Sequence, residues 1–94
     1  MTKIRLQIHG KVQGVFYRQS ALEIAKILGL SGWIKNNPDG TVEAEAVGSP
    51  EALAKFKEWC KKGPPRAVID RVETLGEEEL SALTDKSAGF RIVG

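Results

Sequence analysis

KIRLQIHGKVQGVFYRQSALEIAKIL, residues 3–28, is the stretch whose reading decides the fold. Its first seven residues alternate strictly. Ile4, Leu6 and Ile8 fall on one side, with Lys3, Arg5, Gln7 and His9 on the other. That period of two predicts a strand with one buried face. From about Gln19 to Leu28 the apolar residues Ala21, Ile24, Ala25 and Leu28 recur at three and four, the spacing of an amphipathic helix. Gly29 is placed to close that helix in the left-handed conformation. Between strand and helix lies Gly10–Arg18, GKVQGVFYR, with two glycines and neither period.

Working outward, Trp33–Asn36 reads as a second strand and Val42–Val47 as a third. Asn37-Pro38-Asp39-Gly40 makes the tight hairpin between them. Ser49-Pro50-Glu51 starts a second helix: a capping hydroxyl, Pro in the first turn, and an acid at the positive end of the dipole. Leu53, Phe56 and Cys60 form its apolar stripe, and Gly63-Pro64-Pro65 ends it. Residues 67–75 are rich in β-branched side chains and predict a fourth strand. Gly76–Ser87 reads as an acidic loop with at most a turn at Glu79–Leu83, and 89–93 as a short last strand. The order β-α-β-β-α-β with a terminal strand predicts one α+β domain over residues 1–94. It is a ferredoxin-like sandwich in which an antiparallel sheet carries two helices on one face. Such a fold hosts many activities and selects none.

Composition narrows the classes. A chain of 94 residues with 28% charged residues is neither large enough for two domains nor polar enough to be disordered. No apolar run approaches the roughly 20 residues of a membrane helix, and the N-terminus lacks a signal-peptide pattern. A single cysteine excludes an internal disulfide and a cysteine zinc cluster, so a reducing cytoplasm is the expected location. Ten glycines are about a tenth of the chain, against a usual ~7%. Residues 1–35 hold six basic groups and one acid, whereas the rest holds eight basic and eleven acidic groups. The net +5 of the first third suits an anionic ligand there, although solvated faces also differ in charge without function.

The segment Gly10–Arg18 admits two readings. Lying between a strand and a helix N-terminus, it is where free N–H groups and the helix dipole favour an anion. Gly10 and Gly14 would let the backbone curl into a nest of amides, with the guanidinium fork of Arg18 matching two phosphate oxygens. It is equally a tight connection whose arginine makes a surface ion pair. It is not a nucleotide P-loop, because the Gly-Lys-Ser/Thr ending is absent. Asn36, just before the hairpin, is by position a turn residue.

Gly10-Lys11-Val12-Gln13-Gly14-Val15-Phe16-Tyr17-Arg18 resembles the first acylphosphatase signature, G-x-V-Q-G-V-x-(F/Y/M)-R. Gly32-Trp33-Ile34-Lys35-Asn36, with Gly40, Val42 and Gly48, is similar to the second, G-(F/Y/W)-(V/I)-x-N-x3-G-x-V-x5-G. The one mild departure is Tyr17, where many members carry Phe. The resemblance spans essentially the whole chain. It implies hydrolysis of a carboxyl-phosphate anhydride to a carboxylate and inorganic phosphate. It maps a phosphate cradle onto the backbone of Gln13, Gly14, Val15, Phe16, Tyr17 and Arg18, adds the Arg18 side chain, and places the Asn36 amide on the attacking water. It implies no cofactor and no metal. The expected partners are a small acyl phosphate and inorganic phosphate, with no nucleic acid, no membrane and a monomeric chain. The alternative is a non-catalytic module that holds a phosphorylated metabolite.

The remaining residues read more plainly. Gln13 is expected to shape the loop by a side-chain hydrogen bond, and Lys11 to be solvated. Trp33 packs on a face, His9 has no partner for a metal site, Cys60 is a buried small hydrophobe, and Glu77-Glu78-Glu79 is a solvated charge run. RNA recognition on the open sheet face is disfavoured, because Thr41, Glu43 and Glu45 on the third strand are without aromatics and include acids.

Overall fold

The computed structural model describes residues 1–80 and 89–93. The elements run β1 (Thr2–Lys11), α1 (Tyr17–Ile27), β2 (Ser31–Asn36), β3 (Val42–Gly48), α2 (Pro50–Lys62), β4 (Val68–Glu79) and β5 (Phe90–Ile92). The five strands form one sheet in the order β4-β1-β3-β2-β5. The α+β ferredoxin-like arrangement is therefore present.

The alternation of β1 puts Ile4, Leu6 and Ile8 under the helices. They join Ile34 of β2, Val42, Ala44 and Ala46 of β3, and the helix stripes Tyr17, Ala21, Ala25 and Leu53, Phe56, Cys60 in one buried core. At about 25 cal/mol per Å² of apolar surface removed from water, this shared face is the main force holding helices to sheet. Ser49 caps α2 by accepting from the Ala52 amide at 3.1 Å, and Gly63 closes it with φ 66°.

Several boundaries differ from the sequence expectation, each for a local reason. The sheet is mixed, because β5 pairs parallel to β2 while the other pairs are antiparallel. Gly10 belongs to β1 and not to the anion loop. At φ 130° it lies so close to β4 that a Cβ would be driven into the Val68 carbonyl. Its glycine serves a strand contact. Helix α1 begins two residues early, at Tyr17. Thr41 directly precedes β3 and is buried, its hydroxyl accepting from the Gln7 amide at 3.1 Å.

Residues 76–79, expected as loop, continue β4, with Glu77, Glu78 and Glu79 paired to Ile4, Lys3 and Thr2. An edge strand needs no apolar alternation when cations and hydroxyls meet its side chains. Lys3 lies 3.6 Å from Glu78, and Thr2 Oγ1 donates to Glu79 at 2.8 Å. The triple-acid stretch is still solvent-exposed at its side chains. The turn at Glu79–Leu83 falls largely outside the described residues. Among the described residues no helix is long and apolar enough to cross a membrane.

Candidate active site

With Gly10 and Lys11 in β1 and Tyr17 and Arg18 in α1, the connection shrinks to Val12–Phe16. Val12 and Val15 are buried and pin it to the core, while Gly14 and Phe16 face outward. Gly14 has φ 73° and Phe16 φ 62°, both left-handed, and Val15 between them has no positive φ. Such alternation turns successive N–H groups to one side. For Phe16 this conformation costs about 1–2 kcal/mol, because a Cβ crowds the following carbonyl.

Phe16 is also the N-cap of α1 and supplies no side-chain cap. Among the described residues, no hydrogen bond engages the N–H groups of residues 13–19. The first loop-to-helix bond runs from Ser20 N to Phe16 O at 3.0 Å. A helix start without a cap keeps its positive end open. Arg18 is half-buried there and makes no ion pair with a described carboxylate. The ion-pair reading of this arginine thus has no partner among them. An open pocket of about 360 Å³ sits at this corner, lined by Val12, Gly14, Phe16, Tyr17, Arg18, Gln19 and Ile92.

Asn36 ends β2. Counting by twos from Ile34, which is fully buried, puts Asn36 on the helix-facing side of the sheet. Its Oδ1 is buried and has no hydrogen-bond partner among the described residues. Asn36 is not among the residues lining the pocket, but two links hold its strand beside it. Ile92 of β5, a pocket wall, pairs with Ile34. The Gln13 amide donates to Asn37 O at 2.8 Å and Thr41 O at 2.9 Å, tying the loop to the β2–β3 turn. The expected loop-shaping bond of Gln13 is thus present, and it is bidentate.

The turn is itself braced. Asp39 accepts from the Thr41 hydroxyl at 2.6 Å and the Thr41 amide at 3.0 Å, which holds its carboxyl below the usual carboxylate range. Asn37 donates to Thr41 Oγ1 at 3.1 Å. Beneath the loop, Tyr17 Oη donates to Cys60 O at 2.8 Å and anchors the first turn of α1 to α2. Burial pushes the Tyr17 phenol upward, and it pushes the Cys60 thiol up to about 12.

The model for the acylphosphatase family matches residues 4–92. The chain belongs to the acylphosphatase family. Curated relatives include the acylphosphatase of Thiobacillus denitrificans, 49% identical over 80 residues, covering 82% of this chain and 90% of the relative. That of Thermococcus kodakarensis is 43% identical, and the alignment covers the whole of both chains. The crystal structure of acylphosphatase from Bacillus subtilis superposes with a TM-score of 0.90 at 34% identity, covering all of each chain. Membership makes this chain a hydrolase acting on acid anhydrides.

The other residues singled out from sequence lie apart from the pocket. His9 Nε2 is 3.1 Å from Glu73 Oε1 on β4, an acidic partner that sequence distance concealed. Among the described residues no three His, Cys, Asp or Glu side chains cluster as a metal site would require. Trp33 packs on the open sheet face, donating to Glu45 at 2.7 Å, with Arg5 5.3 Å and Lys35 5.6 Å from its ring centre. Cys60 is fully buried. The sequence did not single out Thr41 as a brace of the turn. Its place directly after Asn37-Pro38-Asp39-Gly40 was the available signal, because Asp side chains in turns bond backbone two residues on.

Proposed function

We propose that the chain hydrolyses acyl phosphates with the amides of residues 13–18 and the Arg18 guanidinium holding the phosphoryl oxygens, and with Asn36 orienting the attacking water. The start of α1, which has no side-chain cap and where Arg18 lines the pocket beside the left-handed Gly14 and Phe16, carries this reading. Asn36 ends the strand held beside that pocket, on the helix-facing side of the sheet.

Water attacks phosphorus as the bond from phosphorus to the anhydride oxygen breaks, and the carboxylate departs with that electron pair. The water proton passes to a phosphoryl oxygen, giving a carboxylate and inorganic phosphate. A carboxylate leaves without help from a general acid, so positioning and charge stabilisation suffice. Arg18 and the oriented amides supply the positive field where the phosphoryl charge spreads. Gln13 fixes the spacing of cradle and turn. The reading needs no metal or cofactor, and it has the chain acting as one cytoplasmic monomeric domain over residues 1–94.

Asn36→Ala tests the water role. Its kcat on acetyl phosphate should fall roughly a hundredfold with a smaller change in KM, because a water-orienting group acts in the transition state. A collapse of substrate affinity at unchanged kcat would make Asn36 a binding residue instead.

A further inference from the structure

The large apolar side chains exposed among the described residues are Phe16, Ile27, Val68 and Leu75. Ile27 ends α1, and Val68 and Leu75 lie on the edge strand β4. Only Phe16 lines the pocket that holds Gly14 and Arg18. It is 76% exposed, so its ring adds little to the core, and it makes no side-chain cap for α1. Its φ of 62° is a conformation that glycine adopts without strain. The fold thus holds an aromatic residue in a disfavoured backbone state and gains neither burial nor a hydrogen bond from its side chain.

We infer that Phe16 is the specificity-determining residue for the organic half of the substrate, packing its ring on the acyl group and favouring aromatic or apolar acyl phosphates over small ones. This rests on the acyl-phosphate reading above. The polar donors of the cradle meet the phosphoryl group, and the carboxylate leaves on the side opposite the incoming water. The acyl group therefore projects out of the cradle, across its rim. There the pocket offers Phe16, Val12 and Ile92 as apolar walls. Of these Val12 is buried and Ile92 half-buried, so Phe16 has the free surface for a planar group to cover. Offset stacking on an aromatic acyl group gives it a contact that a methyl group does not match.

The test compares kcat/KM for benzoyl phosphate and acetyl phosphate in wild type, Phe16→Leu and Phe16→Gly. The benzoyl-to-acetyl ratio is expected to fall about tenfold in Phe16→Gly, the scale of one aromatic contact, and by less in Phe16→Leu. The glycine variant relieves the backbone, and the leucine variant keeps an apolar side chain, so a folding defect cannot imitate a change in ratio. An unchanged ratio in both variants overturns the inference, including the case where both substrates decline in parallel. Wild type that turns over both substrates with that outcome leaves the activity standing and removes only the role of Phe16. Wild type that turns over neither overturns both.

Discussion

Asn36 sits where a strand of this kind would ordinarily place another apolar residue. It follows Ile34 on the helix-facing row of β2, yet its Oδ1 is buried and unpartnered among the described residues. Removing such an acceptor relieves a desolvation cost. Asn36→Ala is therefore expected to unfold at an equal or higher Tm by calorimetry even as turnover collapses. A Tm lowered by several degrees would mark Asn36 as a structural residue of the hairpin. Its sequence position before Asn37-Pro38-Asp39-Gly40 could not separate these roles, because turn chemistry explains an Asn equally well. Only the strand parity and the missing partner distinguish them. Phe16 was similarly opaque, because a positive φ in a non-glycine residue is set by what surrounds it.

At the level of elements, apolar alternation revealed β1 and β3, and the Ser-Pro-Glu start and Gly-Pro-Pro stop gave α2 nearly to the residue. What period cannot show is pairing. The extension of β4 to Glu79 depends on Lys3 and Thr2 lying across from it, and the parallel placement of β5 depends on its running beside β2. Gly10 was legible as a required glycine but not as a strand contact. Gly10→Ala would force β1 and β4 apart, and a loss of about 3 kcal/mol or more is expected in urea denaturation. A loss under about 1 kcal/mol would mean the strands part easily there.

The α1–α2 junction has its own pH signature. The folded thiol of Cys60 lies above its ordinary value of 9.0, at about 12, because burial disfavours the thiolate. The neutral form is thus favoured by folding, so this stability is full below about 9 and is lost as the pH climbs toward 12. The Tyr17 phenol, raised by burial, adds to the same alkaline loss. Denaturant midpoints should therefore fall above about pH 9, and less steeply in Cys60→Ala. A midpoint flat through that range would contradict the buried, neutral assignment.

Over the whole molecule, the net charge of +2 says less than its placement. On the sheet's open face Lys3 pairs with Glu45 and Glu78, and Arg5 with Glu43 and Glu45. Arg18 lies at the start of α1, which has no side-chain cap, and lines the pocket with Gly14 and Phe16. Sequence motifs located that corner. The structure adds the left-handed Phe16, the bidentate Gln13 and the buried Oδ1 of Asn36, which arise only when the loop, the turn and β5 converge. Phosphate release from acetyl phosphate, measured with EDTA present, tests the proposed cradle most directly. Wild type should turn over, and Arg18→Ala should lose activity by at least roughly a thousandfold, the scale of one arginine on a transferring phosphoryl group. Full activity in Arg18→Ala would contradict it.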